Sequence, residues 1–383
     1  MAVYFDNAAT TMVRDESIET MNRVMRYEYG NPSSIHAMGR NAARELETAR
    51  KRVADAIGAK ADEIYFTSGG TEADNWAILG CAKALSRYGK HMITSSIEHD
   101  AVLEPAKELE KMGWDVTYLT PDSSGKISVE SFSEALREDT TLASVMLVNN
   151  EIGVINPIHE YSSVIKQRGL NTIIHSDAVQ GLCKIPFSVK TLGADLITFS
   201  AHKIHGPKGI GALYIKDGTK LTPLILGGGQ EKGKRSGTEA LPMIAGFGEA
   251  ARLGKIEQEE TMSKAHHLKE YITIRLLNEL PDVVIIGDNC SPFIVSLSMP
   301  GVGSEVLMSF LESEGIYVSN SAACKKGARS KVLMAMRLKN EVVDGAVRIS
   351  FSRYNTVDEA EYFISIMKIA SKRLIRRNSS IPK

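Results

Sequence analysis

Cysteine is scarce in this chain. The 383 residues include four, Cys81, Cys183, Cys290 and Cys324, widely separated and without a Cys-x-x-Cys pair. This spacing argues against a disulfide framework or a paired-cysteine zinc site, so no metal is expected and a reducing cytoplasm is the expected location. One isolated thiol could still serve as a nucleophile. An excess of charge of one sign is also missing. Lys and Arg total 46, as do Asp and Glu, a balance that argues against a protein that coats nucleic acid. No apolar run approaches the ~18 residues of a membrane span. The start, "MAVYFDNAATT", lacks a basic stretch followed by an apolar one, so no secretory signal is expected. Internal repeats and low-complexity tracts are absent as well.

What is present is ordinary for a globular protein: 43% hydrophobic and 24% charged residues. The length is enough for two domains. Between about residue 45 and residue 215, short apolar runs alternate with helical patterns. "IYFT" (64–67), "MITS" (92–95), "VTYL" (116–119), "SVMLV" (144–148), "TIIH" (172–175), "DLITF" (195–199) and "GALYI" (211–215) read as strands, with helices such as "LEPAKELEKMG" and "VESFSEALRE" between them. Such alternation predicts an α/β fold with a mostly parallel sheet covered on both faces. After about residue 245 one long helical stretch, "MIAGFGEAARLGKIEQEETMSKAHHLKEYITIRLLNEL", leads to a second region with "VVII", "FIVSLSM" and "VRISFS" as strands.

In a parallel sheet, ligands bind beyond the carboxyl ends of the strands, so the residues that follow each strand carry the functional argument. "SGGTEADN" follows the first and opens a helix, a plausible phosphate cradle with Gly70 and Thr71. "SIEHD" places His99 after the second; "NNEIGVINP" supplies Asn149 and Asn150; "SDAVQG" supplies Asp177 and Gln180. "SAHKIHGPKG" brings Ser200, His202 and Lys203 out together, with Lys208 in a turn where a solvated lysine is the simpler reading. Taken singly, each has a bland alternative: a capped turn, a surface histidine, turn-forming asparagines, a structural lysine. Together they are more informative. A Schiff-base lysine, an acid for a pyridinium nitrogen and a phosphate site are what pyridoxal 5′-phosphate requires.

The motifs "YFDNAATT", "GNPSSIHAMGR", "FTSGGTEADN", "IEHDAV", "VNNEIGVI", "SDAVQ", "FSAHKIHGPKGIGALY" and "GGGQEKGKRSGT" occur in this order. In this the chain resembles the cysteine desulfurases, pyridoxal-phosphate enzymes of the class V aminotransferase group, over about residues 3 to 370. The resemblance implies the fold type I transferase architecture. A large domain (16–250) would hold a mostly parallel seven-stranded sheet, a smaller C-terminal α/β domain would span 251–383, and residues 1–15 would pack on the small domain. It further implies that Lys203 holds the cofactor as an aldimine, that Asp177 pairs with the pyridinium nitrogen, and that Gln180 bonds the ring hydroxyl oxygen. His99 would stack on the ring and shuttle protons. Gly70, Thr71, Ser200 and His202 would bind the phosphate. Thr238 would reach the phosphate of a neighbouring subunit, which implies a homodimer. Asn150, at the cofactor, and Arg348 would hold the substrate carboxylate.

The implied reaction converts L-cysteine to L-alanine and places the sulfur on a protein thiol as a persulfide, for iron–sulfur cluster assembly or tRNA thiolation through an acceptor protein. Cys324 is the expected thiol. It lies in "VSNSAACKKGARSKVL", where Lys325, Lys326, Arg329 and Lys331 favour a thiolate, at the position of the family's persulfide-forming cysteine. Cys81 and Cys183 read as packing residues and Cys290 as a loop thiol. The run from Cys324 to Val332 is shorter than in most members, and the chain lacks the longer tail that some members use to dock a scaffold. A selenocysteine or cystine lyase that does not use Cys324 is the alternative enzyme; a non-catalytic binding subunit is disfavoured by the presence of Lys203, Asp177 and His99.

Overall fold

The computed structural model describes residues 2–288, 290–320 and 329–375. Among them the strands are β1 (Val3–Tyr4), β2 (Ile64–Thr67), β3 (His91–Ser95), β4 (Asp115–Leu119), β5 (Thr140–Ser144), β6 (Ile173–Asp177), β7 (Leu196–Ser200), β8 (Gly211–Ile215), β9 (Val284–Ile286), β10 (Ile294–Ser298), β11 (Ile316–Tyr317), β12 (Ser319–Asn320) and β13 (Ala346–Ser350). Seven of them form the central sheet in the order β2-β8-β7-β6-β5-β3-β4. All neighbours are parallel except β8, which runs antiparallel to both β2 and β7.

Period-two alternation explains why these strands are apolar throughout. In β7 Leu196 faces one core, while Ile197 and Phe199 face the other; in β8 Leu213 and Ile215 take the first side, Ala212 and Tyr214 the second. One side is covered by the helix Gly70–Leu85, whose Trp76 and Cys81 are buried there. The other is covered by Ala37–Ile57 and Leu241–Ile256, which supply Val53 and Phe247. Each fully buried Phe or Ile side chain contributes about 1.5–3 kcal/mol.

A separate core lies under the antiparallel sheet β12-β13-β10-β9. Leu268 and Ile272 from the helix Gln258–Glu279 meet Phe363 and Met367 from Val357–Ala370 over Leu297 and Val347. The latter helix starts where its sequence says it should: Thr356 Oγ1 accepts from Glu359 N–H, and Glu359 returns a carboxylate to Thr356 N–H. Val3 and Phe5 are part of this second core, and β1 pairs in parallel with β11. The chain then crosses to the central sheet, so residues 6–11 join the two cores.

Two sequence expectations need correction. "SVMLV" is not a strand; β5 lies earlier, over Thr140–Ser144. Val145 and Leu147 still donate to the carbonyls of His175 and Asp177, so this buried run continues the pairing irregularly past the strand end. The single long helix is two, Leu241–Ile256 and Gln258–Glu279, meeting at Glu257.

Candidate active site

At the carboxyl ends of β5, β6 and β7 lies a cavity of about 300 Å³. The expected residues Gly70, Thr71, His99, Asn150, Asp177, Gln180, Ser200, His202, Lys203 and Arg348 all line it. Thr238 does not: it lies exposed on the turn that follows Arg235. Cys324 lies outside the described residues.

Lys203 leaves a short helical turn directly after β7. Its Nζ donates to the carbonyls of Ala8 and Ala9, both at 2.7 Å, and no carboxylate among the described residues is in ion-pair contact with it. Burial, reinforced by the charge of Arg348 and opposed by Asp177 and Asp6, pulls its pKa down to about 8. An amine in that range is a usable nucleophile and base.

Asp177 ends β6. One oxygen accepts from Val179 N–H at 2.9 Å, and no cation forms an ion pair with it among the described residues. Burial raises its pKa, and the Val179 N–H, His99 and Lys203 oppose the rise. Behind it stands Asp74, raised further by burial and by the charge of Asp177. Its Oδ1 is buried without a hydrogen bond, 3.5 Å from His175 Nε2. His175, with nitrogens held by Ser144 Oγ (2.8 Å) and Thr198 Oγ1 (3.0 Å), is pushed down to about 3 by burial and stays neutral.

The phosphate end is built by the helix Gly70–Leu85, whose first N–H groups open toward the cavity. Gly211 permits this: a Cβ there would sit 2.8 Å from Gly69 Cα, so the Gly69–Gly70 turn can lie against the start of β8. His202 Nδ1 is 3.2 Å from Thr10 Oγ1, and burial followed by the charge of Lys203 lowers its pKa to about 4, so it is neutral at physiological pH. His99 caps the helix Asp100–Lys111 by accepting Ala101 N–H on Nδ1 at 3.1 Å, which leaves Nε2 to carry the ring proton.

Arg348, in the middle of β13, is only 1% exposed. Nη1 donates to the Asn150 carbonyl at 2.7 Å and Nη2 to Asp6 at 2.8 Å, while Nε is buried without a partner. Asp6, Ala8, Ala9 and Asp74 are members of the site that sequence reasoning did not single out. Two of them act through backbone carbonyls, which no residue type announces.

A model of the family described as aminotransferase class-V matches residues 3–363. The chain belongs to this family. Its cofactor is pyridoxal 5′-phosphate. The cysteine desulfurase IscS of Dictyoglomus turgidum is 43% identical over 376 residues, 97% of this chain and 95% of the relative. A solved NifS-like protein matches with a TM-score of 0.92 and 40% identity over 97% of this chain and 100% of that one. A solved complex of SspA with cysteine matches with a TM-score of 0.81 and 36% identity over 92% of this chain and 100% of that one.

The residues fit this cofactor. Asp177 is a buried acid without a cation, which a protonated ring nitrogen would supply. Lys203 is a desolvated amine with no ion pair among the described residues, and the cradle at Gly70 and Thr71, with Ser200 and neutral His202, offers donors to an anion. Arg348 keeps a guanidinium in the same cavity.

Proposed function

We propose that this protein is a cysteine desulfurase that takes L-cysteine, releases L-alanine and passes the sulfur to the thiol of Cys324 as a persulfide, for delivery to an acceptor protein in iron–sulfur cluster assembly or tRNA thiolation. The observation that carries this reading is the placement of Lys203 and Arg348 in one cavity: a depressed amine opposite a buried guanidinium. Relatives of closely similar length named as cysteine desulfurases support the choice of substrate.

Pyridoxal phosphate, when bound, supplies an electron sink for charge left at the substrate Cα. Lys203 would hold it covalently, Asp177 would keep its ring nitrogen protonated, Gln180 would donate to its ring oxygen, and Gly70, Thr71, Ser200 and His202 would take its phosphate. Arg348 binds the substrate carboxylate with its planar donors, Asn150 lining the same wall. This fixes Cα within reach of Lys203, whose free amine takes and returns the proton there. His99, with its proton on Nε2, serves proton transfer at the mouth of the cavity. At Cys324 the substrate C–S bond breaks as an S–S bond forms.

The chain is read as a large domain over 16–250 and a smaller one over 251–383, with 1–15 packed on the small domain; Val3 and Phe5 in the second core support this, while Val332 and Met336 pack with the first. A cytoplasmic homodimer completes the reading, with Thr238 serving the partner's phosphate site. The turn before Thr238 is braced for this. Arg235 forks onto Glu72 at 2.8 and 3.0 Å, and Arg50 onto Glu231 at 2.7 and 2.8 Å. No helix among the described residues is long and apolar enough to cross a membrane.

The test is an assay of alanine and sulfide from L-cysteine with a thiol reductant, on wild type and Cys324→Ala. Equal amounts from wild type and neither from the variant are expected. Equal activity in both would replace this reading with a lyase that does not use the thiol.

A further inference from the structure

Lys184 has no place in the scheme above, yet it is only 7% exposed and lines a small void that Lys203 also borders. Burying a lysine without a carboxylate is costly, and among the described residues none forms an ion pair with it. Its Nζ makes one hydrogen bond, to Gln180 Oε1 at 2.9 Å. Lys203 and Arg348 are the charges that bear on it, and His202 and His205 feel its charge in turn. The ring of Phe293 lies 6.0 Å away. Burial, aided by Lys203 and Arg348, lowers its pKa to about 7. The residue before it, Cys183, is held at φ +55°, the left-handed region that side chains avoid. Strain of this kind persists where the surroundings require it.

The partner explains the arrangement. Gln180 lines the cavity, and its Nε2 donates to Ala8 O at 2.8 Å, the carbonyl that also receives Lys203 Nζ at 2.7 Å. An amide can be turned either way at little intrinsic cost. Below its pKa of about 7 Lys184 is an ammonium, which only donates and takes Oε1, and a carbonyl, which only accepts, takes one Nε2 hydrogen. The second Nε2 hydrogen remains for the cavity.

We propose that Lys184 is a positioning residue for the cofactor: by donating to Gln180 Oε1 it locks the amide so that Nε2 presents a hydrogen to the anionic ring oxygen of pyridoxal phosphate. This rests on the reading of the site given above. The full-length protein, stripped of cofactor, is titrated with pyridoxal phosphate as wild type, Lys184→Met, Gln180→Ala, the double variant and Lys184→Arg. Lys184→Met should bind roughly tenfold more weakly, the size of one charge-assisted hydrogen bond, and show the same displaced visible band as Gln180→Ala. The double variant should be no weaker than Gln180→Ala. Lys184→Arg, which restores a cationic donor, should recover binding and band position. Multiplying effects in the double variant, or wild-type binding and spectrum in Lys184→Met, would overturn the proposal. Equal melting temperatures of the stripped proteins would confirm that folding is not what changed; a drop in Lys184→Met that Lys184→Arg does not repair would overturn it in favour of a packing role. Failure of the wild type itself to bind would refute the site reading, and the proposal with it.

Discussion

The central sheet is hollow at both ends, and the larger hollow is the quieter one. At the amino ends of its strands a recess of about 780 Å³ is lined by Thr140, Thr172, Asp195 and Lys220, among others. Several of its polar groups have partners. Thr172 donates to Thr140 O at 2.7 Å, Asp195 takes Lys216 at 2.9 Å and Ile174 N–H at 3.1 Å, and Lys220 reaches the Tyr88 hydroxyl at 3.1 Å. The carboxyl-end cavity is smaller, about 300 Å³, but Asp74 Oδ1 and Arg348 Nε are buried there without a hydrogen bond, as is Glu98 Oε2 just behind it. Burial holds Lys203 down to about 8 and Glu98 up to about 8. Unsatisfied polar groups cost stability, so their concentration at one end marks where a ligand is to complete the bonding. Size alone would have chosen the wrong end.

Three experiments sharpen or break that contrast. The largest effect is expected from Arg348→Lys, which keeps the charge but loses the planar fork. The KM for L-cysteine should rise roughly 30- to 100-fold, about 2–3 kcal/mol, in steady-state kinetics with kcat less affected. A wild-type KM would remove Arg348 from substrate binding. Next is the pH dependence of cofactor uptake. Only the unprotonated amine attacks, and the pKa of Lys203 is lowered from 10.5 to about 8. The uptake rate of stripped protein should therefore climb about tenfold per pH unit below the pKa and level off above about 8. A rise that continues toward 10.5 would mean that the amine is not desolvated. The smallest effect belongs to the other hollow. Lys220→Ala should change stability by no more than about 0.5 kcal/mol, seen as an almost unchanged melting curve, and leave activity intact. A loss comparable to that of Arg348→Lys would erase the contrast.

The sheet was legible because its strands carry side chains of the right kind in the right period: "IYFT" and "GALYI" become β2 and β8 with the same ends. The run around residue 144 misled because it is buried and paired only irregularly past Ser144. Val145–Val148 are as apolar as a strand, while Thr140–Ser144, with two threonines and a serine, forms one. The site was legible where side chains do the chemistry, as with Lys203, Asp177 and Arg348. It was illegible where the backbone does. Ala8 and Ala9 hold Lys203 through carbonyls that any residue would provide. Lys184 was hidden for another reason. It follows the motif that carries Gln180 and was not singled out, and only the fold shows it buried.

The account stands on one lysine at the carboxyl end of β7. Loaded protein reduced with borohydride and digested should yield a single cofactor-bearing peptide, with the modification on Lys203 by mass spectrometry. A modification on Lys184 or Lys208 instead, or a loaded protein with no stable adduct, would contradict it.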